Sequence, residues 1–113
     1  MCYIISGGYM HVIIDKKKYN LIECITFTER FKGLMFTKEF NYCMRFKKCN
    51  SIHTFFMSTK IDVIMTDKDN NVLYTYKNLS PWKIILPKKG VYSVYELPHN
   101  SIKNNIKKVK VCD

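Results

Sequence analysis

The clearest candidate for a functional side chain is Asp62, which interrupts the apolar run Ile61–Met65. A carboxylate within a buried strand is costly unless other groups neutralise it. Arg30, Lys60 and His53 are the candidate partners. A buried Arg–carboxylate pair that fixes a helix onto a sheet would be structural, whereas an Asp–His or Asp–Arg pair lining a cleft would be functional. The sequence favours the structural pair.

Cys49, His53 and Met57 carry a thiol, an imidazole and a thioether, which are ligands that suit copper or zinc. Residues four apart on an extended strand are separated by about 13 Å, which is too far for one ion to bridge directly. Apolar groups alternate onto both faces of Ile52–Met57, so this stretch predicts a central strand with His53 as a hydrogen-bonded core residue. We therefore predict no metal site and no cofactor.

The remaining sequence motifs give no catalytic set. Asp67, Asp69 and Asn71 resemble the first ligands of a calcium loop, but Val72 replaces the required glycine and Asn78 replaces the bidentate glutamate. This segment is better interpreted as a polar hairpin turn. The sequence has no phosphate-binding glycine loop, no GxSxG elbow and no HExxH helix, so no catalytic residue is assigned.

Trp82 follows Pro81 and precedes the apolar run Lys83–Leu86. An aromatic side chain of this size either fills one end of a barrel or forms an exposed platform. Of the two positions, we predict that Trp82 closes one end of the barrel.

Tyrosines and lysines mix in the second half of the chain, as they do on surfaces that stack single-stranded nucleic acid. The residues are Tyr74, Tyr76, Tyr92, Tyr95, Lys77, Lys88 and Lys89. The same composition describes an ordinary amphipathic sheet, so a nucleic acid is not the expected partner.

The chain has 113 residues, of which 47% are hydrophobic, and this is sufficient apolar area for one packed domain over residues 1–113. Lys and Arg number 19 against nine Asp and Glu, which gives a net charge of +10. Such a charge attracts phosphate backbones and anionic membranes. Because most basic residues are lysine and Asn and Ile are abundant, AT-rich codon usage explains the excess without any partner.

No stretch at the beginning of the sequence has the basic region and cleavage site of a signal peptide, and no apolar run reaches the roughly 18 residues of a spanning helix. The sequence therefore predicts a cytoplasmic protein with no membrane contact. Its five cysteines are widely spaced and form no CxxC pair, which predicts reduced thiols rather than a disulfide framework or a zinc site.

The periodicity of the chain predicts mainly strands. The predicted strands are Tyr9–Asp15, Tyr19–Phe27, Ile52–Met57, Ile61–Thr66, Val72–Lys77, Tyr92–Leu97 and Val109–Val111. A capping box at Thr26–Glu29, followed by Phe31, Leu34 and Met35, predicts one short helix, and Ser101 could cap a helical turn over Ile102–Ile106. The expected fold class is α+β, mostly β, with a small barrel-like, largely antiparallel sheet and one or two short helices.

Several of these residues occur in the order and spacing of a known family. They are Glu29-Arg30-x-x-Gly33-Leu34-Met35, Cys49–Met57, Ile61-Asp62-Val63 with Asp67, Pro81-Trp82 and Glu96-Leu97-Pro98. In these motifs the chain resembles domain of unknown function 192, from about Leu21 to Val111. The resemblance implies a compact α+β domain with a barrel-like sheet, and it implies no activity. Lys60 departs from the pattern, because proline usually precedes the Ile-Asp pair.

The motif positions available for a site are Arg30, His53, Asp62 and Glu96, with Met57 and Trp82 as apolar neighbours. Our leading hypothesis is a non-catalytic binding or accessory module that recognises a small anion or a protein partner. One alternative is a hydrolase-like enzyme that uses His53 and Asp62 as base and orienter. The second alternative is weak nucleic-acid binding through the lysine and tyrosine surface.

Overall fold

The computed structural model describes residues 10–24, 40–55 and 57–112. Within these ranges the chain forms nine strands and no helix. The strands are β1 (His11–Ile14), β2 (Lys17–Cys24), β3 (Tyr42–Lys47), β4 (Ile52–His53), β5 (Ile61–Thr66), β6 (Val72–Leu79), β7 (Ile84–Ile85), β8 (Ser93–Pro98) and β9 (Lys110–Cys112). The helix predicted over residues 26–35 lies outside the described residues.

Seven strands form one sheet in the order β6-β5-β8-β3-β2-β1-β9, and β4 pairs with β7 in a separate two-stranded sheet. Every pairing is antiparallel except that of β2 with β3, which is parallel. A parallel pair needs a long connection, and the chain between Cys24 and Tyr42 is long enough to supply it. The prediction of a mostly β, largely antiparallel fold is confirmed.

The seven-stranded sheet curls so that its two ends approach each other. Asn71, at the start of β6, forms a bridge with Lys108, just before β9. The Val72 N–H donates to the Lys107 carbonyl and the Val109 N–H donates to the Asn70 carbonyl, both at 2.9 Å. These contacts connect one sheet edge to the segment leading to the other, which confirms the barrel-like character.

The two faces of the curled sheet carry two hydrophobic clusters. One contains Leu21, Cys43, Ile64, Tyr95 and Leu97 together with residues of β1 and the segment before β9. The other contains Met44, Phe46, Val63 and Val94 together with Met57 and Ile85. Because side chains alternate along a strand, β3, β5 and β8 supply both clusters. Polar residues on these three strands are consequently buried on either face.

The predicted strands Tyr9–Asp15 and Tyr19–Phe27 correspond to β1 and β2, which pair as a hairpin with a turn shorter than the gap between the predicted strands. Asp15 and Lys16 both have positive φ, at 48° and 67°. This is the backbone of a two-residue type I′ turn, whose twist matches that of the flanking strands. As a result β2 begins at Lys17.

The helical turn predicted over Ile102–Ile106 is wrong. The backbone N–H groups of Lys103 and Asn104 donate to Asp15 Oδ2 at 2.5 and 3.1 Å. The Ile102 N–H donates to Asp62 Oδ2 at 2.7 Å. Two side-chain carboxylates from distant parts of the chain bind these amides, and residues 102–106 form no helical turn.

The strand predicted over Ile52–Met57 is also wrong beyond its first two residues. Only Ile52 and His53 are extended, and they pair with Ile85 and Ile84 in the small sheet. Thr54 and Phe55 begin a turn in which the Met57 N–H donates to the Thr54 carbonyl at 3.3 Å. His53 is half-buried and sits outside the main sheet.

Two further expectations concern thiols and membrane helices. Cys43, Cys49 and Cys112 form no disulfide, as expected, whereas Cys24 is disulfide-bonded, which corrects the prediction of reduced thiols at that position. The described part of the chain contains no helix with the length and apolar character required to cross a membrane.

Candidate functional site

Glu96 lies near the middle of β8, between β3 and β5, where it faces Met44 and Val63 across the strands. Only 6% of the residue is exposed. Among the described residues no side chain or backbone group forms a hydrogen bond or ion pair with its carboxyl. Burial raises the pKa of Glu96 from 4.5 to about 8, since the apolar surroundings penalise the charged form. The carboxyl is therefore mostly protonated at neutral pH.

The Glu96 side chain borders a cavity of about 330 Å³, which we call the Glu96 pocket. Its walls come from β3, β4, β7, β8 and the loops that join them. The lining residues are Phe46, Cys49, Ser51, Ile52, His53, Ile84, Ile85, Leu86, Pro87 and Glu96. Apolar side chains dominate this lining, and a few polar groups converge on it, which is the usual composition of a ligand pocket.

An aromatic ladder, which we define as His53, Phe55 and Trp82, leads from the pocket wall to the surface. The His53 and Phe55 rings have centroids 4.9 Å apart, and Phe55 stacks on Trp82 at 5.7 Å with an interplanar angle of 29°. The Phe55 N–H donates to His53 Nδ1 at 3.3 Å, which fixes the orientation of the imidazole. The ladder therefore couples the one tryptophan of the chain to the pocket.

Trp82 is 60% exposed, so the prediction that it closes one end of the barrel is wrong. Its backbone has φ 63°, a left-handed conformation that is rare for a bulky residue. The backbone N–H of Trp82 donates to the Thr54 carbonyl at 3.0 Å. This hydrogen bond, together with the stack on Phe55, places the indole on the outside as a platform.

Thr54 fixes the loop that carries Trp82. It is fully buried, and its hydroxyl donates to the Ser80 carbonyl at 2.7 Å and accepts the Lys83 N–H at 2.8 Å. The Thr54 N–H donates in turn to the Lys83 carbonyl at 2.8 Å. With the Trp82 N–H, one threonine thus satisfies four backbone groups of residues 80–83 and holds them against the turn after β4.

Asp62 belongs to a different part of the structure. It is fully buried, and its Oδ1 and Oδ2 accept the N–H groups of Asn78 and Ile102 at 2.8 and 2.7 Å. Groups distant in sequence therefore neutralise this carboxylate, but they are backbone amides instead of the expected cation or histidine. The structural interpretation of Asp62 agrees with these contacts.

The structure does not bring Asp62 and His53 together. Val63 pairs with Glu96 and packs in the same cluster as Phe46, which lines the pocket beside His53. Asp62 precedes Val63 on β5, so its side chain points to the opposite face of the sheet. The geometry that a His53 and Asp62 hydrolase would need is absent from this arrangement.

The other candidate residues divide between the pocket and its surroundings. Glu96 and His53 both line the pocket. Met57 is buried in the cluster beneath it, with 7% of the residue exposed. Arg30 lies outside the described residues. Cys49 and His53 share the pocket, but in the described part of the chain no three metal-ligating side chains converge on one point.

The sequence reasoning missed a buried ion pair between Glu23 and Arg45. These residues are register partners on β2 and β3, and they are 7% and 6% exposed. Arg45 Nε donates to Glu23 Oε1 and Oε2 at 2.9 and 3.1 Å, and Arg45 Nη2 also contacts Oε1. The guanidinium lies 6.0 Å from the centre of the Tyr95 ring. The signal was available, because Arg45 interrupts an apolar run as Asp62 does.

The tyrosines proposed for nucleic-acid stacking do not form one surface. Tyr95 is fully buried, and its hydroxyl donates to Asn70 Oδ1 at 2.6 Å. Lysine ammonium groups lie 5.6 Å from the Tyr74 ring and 5.7 Å from the Tyr92 ring. A buried ring cannot stack on a base, and the rings of Tyr74 and Tyr92 already contact cations within the chain.

Comparisons with known proteins agree with this architecture. The crystal structure of a protein of unknown function from Novosphingobium aromaticivorans superposes with a TM-score of 0.70 at 22% identity, covering 90% of this chain and 81% of that one. A Sinorhizobium meliloti protein, provisionally assigned as a transcription regulator, gives a TM-score of 0.72 at 13% identity, covering 90% and 89%. At these identities the likeness shows the fold alone.

A relative from Thermococcus sibiricus, named UPF0127 protein, is 40% identical over 79 residues, which cover 65% of this chain and 51% of that protein. The chain thus spans about half the length of this curated relative. The model of the DUF192 family, described as "Uncharacterized ACR", matches residues 11–111. The resemblance noted in the sequence is confirmed, and the chain belongs to the DUF192 family.

Proposed function

We propose that this protein is a non-catalytic binding module that takes a small, mostly apolar molecule into the Glu96 pocket. The observation that carries the proposal is the buried carboxyl of Glu96, which borders an apolar cavity and has no partner among the described residues. A buried polar group without a partner costs free energy, so natural structures keep few of them. A ligand that satisfied this carboxyl would recover that cost.

The size and the lining of the cavity support a small molecule as the ligand. A volume of about 330 Å³ is at the lower end of small-molecule sites. Lining side chains such as Phe46 and Ile85 offer an apolar surface, while Ile84 and Leu86 are 60% and 65% exposed at its rim. An incoming apolar group would cover surface that otherwise faces water.

Binding without catalysis is favoured because the hydrogen bonds that Cys49 and His53 make to the backbone join no nucleophile to a base. The Cys49 thiol donates to the Ser51 carbonyl at 3.1 Å, so it is directed at the backbone. His53 Nδ1 accepts a backbone N–H. The small anion of the original hypothesis is disfavoured here, because neither Lys nor Arg is among the described residues that line the cavity, and Glu96 would repel an anion when ionised.

The proposal is tested by titrating ¹⁵N-labelled protein with 2-phenylethanol, a neutral molecule of suitable size. We expect shift changes concentrated at the amides of His53, Ile85 and Glu96, together with a change in Trp82 fluorescence transmitted through the aromatic ladder. Binding of so small a molecule should be weak, because it makes few contacts to offset the translational and rotational entropy lost on association.

A matched pair of serine variants provides the control. Ser51→Phe places a ring in the pocket lining, whereas Ser58→Phe adds the same ring at an exposed position outside it. The proposal predicts that Ser51→Phe abolishes the response and that Ser58→Phe keeps it. Shift changes scattered over the surface, or equal binding by both variants, would contradict a ligand site in this pocket.

A further inference from the structure

The described lining of the Glu96 pocket contains a carboxyl but no lysine or arginine to balance its charge. Among its described lining residues the titratable side chains are Glu96, His53 and Cys49, and none is a lysine or arginine. The carboxyl is nine-tenths buried and has no hydrogen-bond or ion-pair partner in the described part of the chain. When Glu96 ionises, its charge is therefore left without a compensating cation from the described protein. A ligand can supply the cation that the described part of the chain does not place here.

We propose that the Glu96 pocket binds an organic cation, a small apolar molecule carrying a protonated amine, and that Glu96 is its counter-ion. This inference rests on the proposed function, because it names the chemical class of ligand for the same pocket. A charge-assisted hydrogen bond between ammonium and carboxylate is about twice as strong as a neutral one. A neutral apolar ligand would leave the carboxyl unsatisfied, and an anion would require it to stay protonated.

The walls of the pocket suit the rest of such a ligand. Phe46 contributes an aromatic surface to the lining, and aromatic faces attract ammonium groups. Ile52, Ile85 and Leu86 offer aliphatic surface to an apolar body.

The net charge of +10 opposes the approach of any cation to this protein. At physiological ionic strength, however, charges separated by more than about 8 Å are largely screened in solvent. A buried contact between ammonium and carboxylate is screened much less. The long-range repulsion therefore slows association and leaves the specificity of the pocket to its short-range contacts.

Binding is coupled to release of the Glu96 proton. Burial raises the pKa of this carboxyl to about 8, so ionising it at pH 7 costs a factor of about ten in affinity. Among the described residues, the other titratable groups packed on this face are Tyr42, Tyr76, His53 and Cys49, while β5 and β7 present apolar residues there. Cys43, Glu23 and Arg45 lie across the sheet on the opposite face.

The inference is tested by calorimetric titration of the protein with three probes of similar shape. They are phenethylamine hydrochloride, 2-phenylethanol and sodium 3-phenylpropionate. We expect the amine to bind most tightly and its affinity to rise roughly 50- to 100-fold between pH 6 and pH 8.5, as the Glu96 carboxyl loses its proton. The affinity of 2-phenylethanol should change by less than about threefold over the same range.

Three variants assign the effect to Glu96. Glu96→Gln keeps the shape of the side chain and should remove both the preference for the amine and its pH dependence, while 2-phenylethanol still binds. Asp69→Asn makes the same change of net charge at an exposed position and should leave the preference intact. His53→Gln should leave the midpoint of the pH profile in place. Thermal unfolding of each variant verifies that it is folded.

The outcomes separate this inference from the proposed function. If none of the three probes binds at any pH, the pocket is not a ligand site and both proposals fail. Equal binding of amine and alcohol, unaffected by Glu96→Gln, would overturn the organic-cation inference and leave the pocket function standing. Tightest binding of 3-phenylpropionate would likewise overturn it.

Discussion

Asp62 and Glu96 lie on adjacent antiparallel strands, one register position apart, and their carboxyls are buried on opposite faces of the sheet. Asp62 accepts two backbone N–H groups, and Glu96 accepts none from the described residues. The Asp62 carboxylate is therefore satisfied by the backbone, whereas the Glu96 carboxyl has no partner among the described residues and is the one we propose for ligand binding. The predictions below follow from this contrast.

The unfolding free energy should fall as pH rises between about 4.5 and about 8, because Glu96 keeps its proton in the folded state while the unfolded chain has lost it. The stabilisation is complete below pH 4.5 and is lost by the time the pH passes 8. At about 1.4 kcal/mol per pH unit, the loss is roughly 3–5 kcal/mol. Urea unfolding of wild type and Glu96→Gln at several pH values measures it.

Glu96→Gln should be nearly independent of pH in this window, so the difference between the two proteins isolates the carboxyl. The carboxylates of Asp15 and Asp67 do not interfere, because amide hydrogen bonds lower the pKa of each and their titration falls at more acidic pH. Parallel stability curves for wild type and Glu96→Gln would contradict a raised pKa.

Replacing Asp62 with Ala should destabilise the protein by about 3 kcal/mol, because two buried backbone amides lose their acceptor. The measurement is the urea unfolding midpoint at constant m-value. Asp69→Ala, at an exposed turn position, is the control and should change the unfolding free energy by less than about 0.5 kcal/mol. A loss that small for Asp62→Ala would refute the structural assignment.

Removing Glu23 should cost about 3–5 kcal/mol, since the buried Arg45 guanidinium then loses its carboxylate partner. Removing Arg45 should cost less, because Lys47 Nζ lies 3.9 Å from Glu23 Oε1 and still compensates part of its charge. Replacing both with apolar residues of similar volume, as in Glu23→Leu with Arg45→Met, should restore much of that stability. A double-mutant cycle in urea measures the coupling. Strict additivity of the two single substitutions would show that the pair does not interact.

Thr54→Val should loosen the loop that carries Trp82, because the Ser80 carbonyl and the Lys83 N–H lose their hydroxyl partner. We expect a loss of about 1–3 kcal/mol and a red-shifted, more quenchable Trp82 fluorescence. Thr59→Val is the matched control, since the Thr59 hydroxyl donates only to the neighbouring Lys60 carbonyl at an exposed site. Unchanged Trp82 fluorescence in Thr54→Val would contradict this account of the loop.

The sequence predicted the strands whose periodicity is strong and whose turns are local. The Asp67–Asn71 segment is the predicted hairpin turn, with Asp67 Oδ1 accepting the N–H groups of Asp69 and Asn71 at 2.9 Å. The β3 strand was missed because Tyr42–Lys47 shows no regular alternation, its neighbours β2 and β8 are distant in sequence, and no turn marks the pairing.

Residues of the site were harder to predict than the sheet. The carboxyl of Glu96 interrupts the apolar run from Val94 to Leu97, so the reasoning applied to Asp62 identifies it as well. What no sequence pattern reveals is which carboxyl receives backbone amides, because the amides of Asn78 and Ile102 reach Asp62 through tertiary structure. The prediction of a helical turn after Ser101 was wrong because tertiary contacts, with the carboxylates of Asp62 and Asp15, determine the path of this segment.

The most direct test of the central claim is an NMR titration of the Glu96 side-chain carboxyl in ¹³C-labelled protein, with the resonance assigned by its loss in Glu96→Gln. The account predicts an apparent pKa near 8, because burial without a partner disfavours the ionised form. Titration at the ordinary value near 4.5 would show that the carboxyl is solvated or paired, and would contradict the claim.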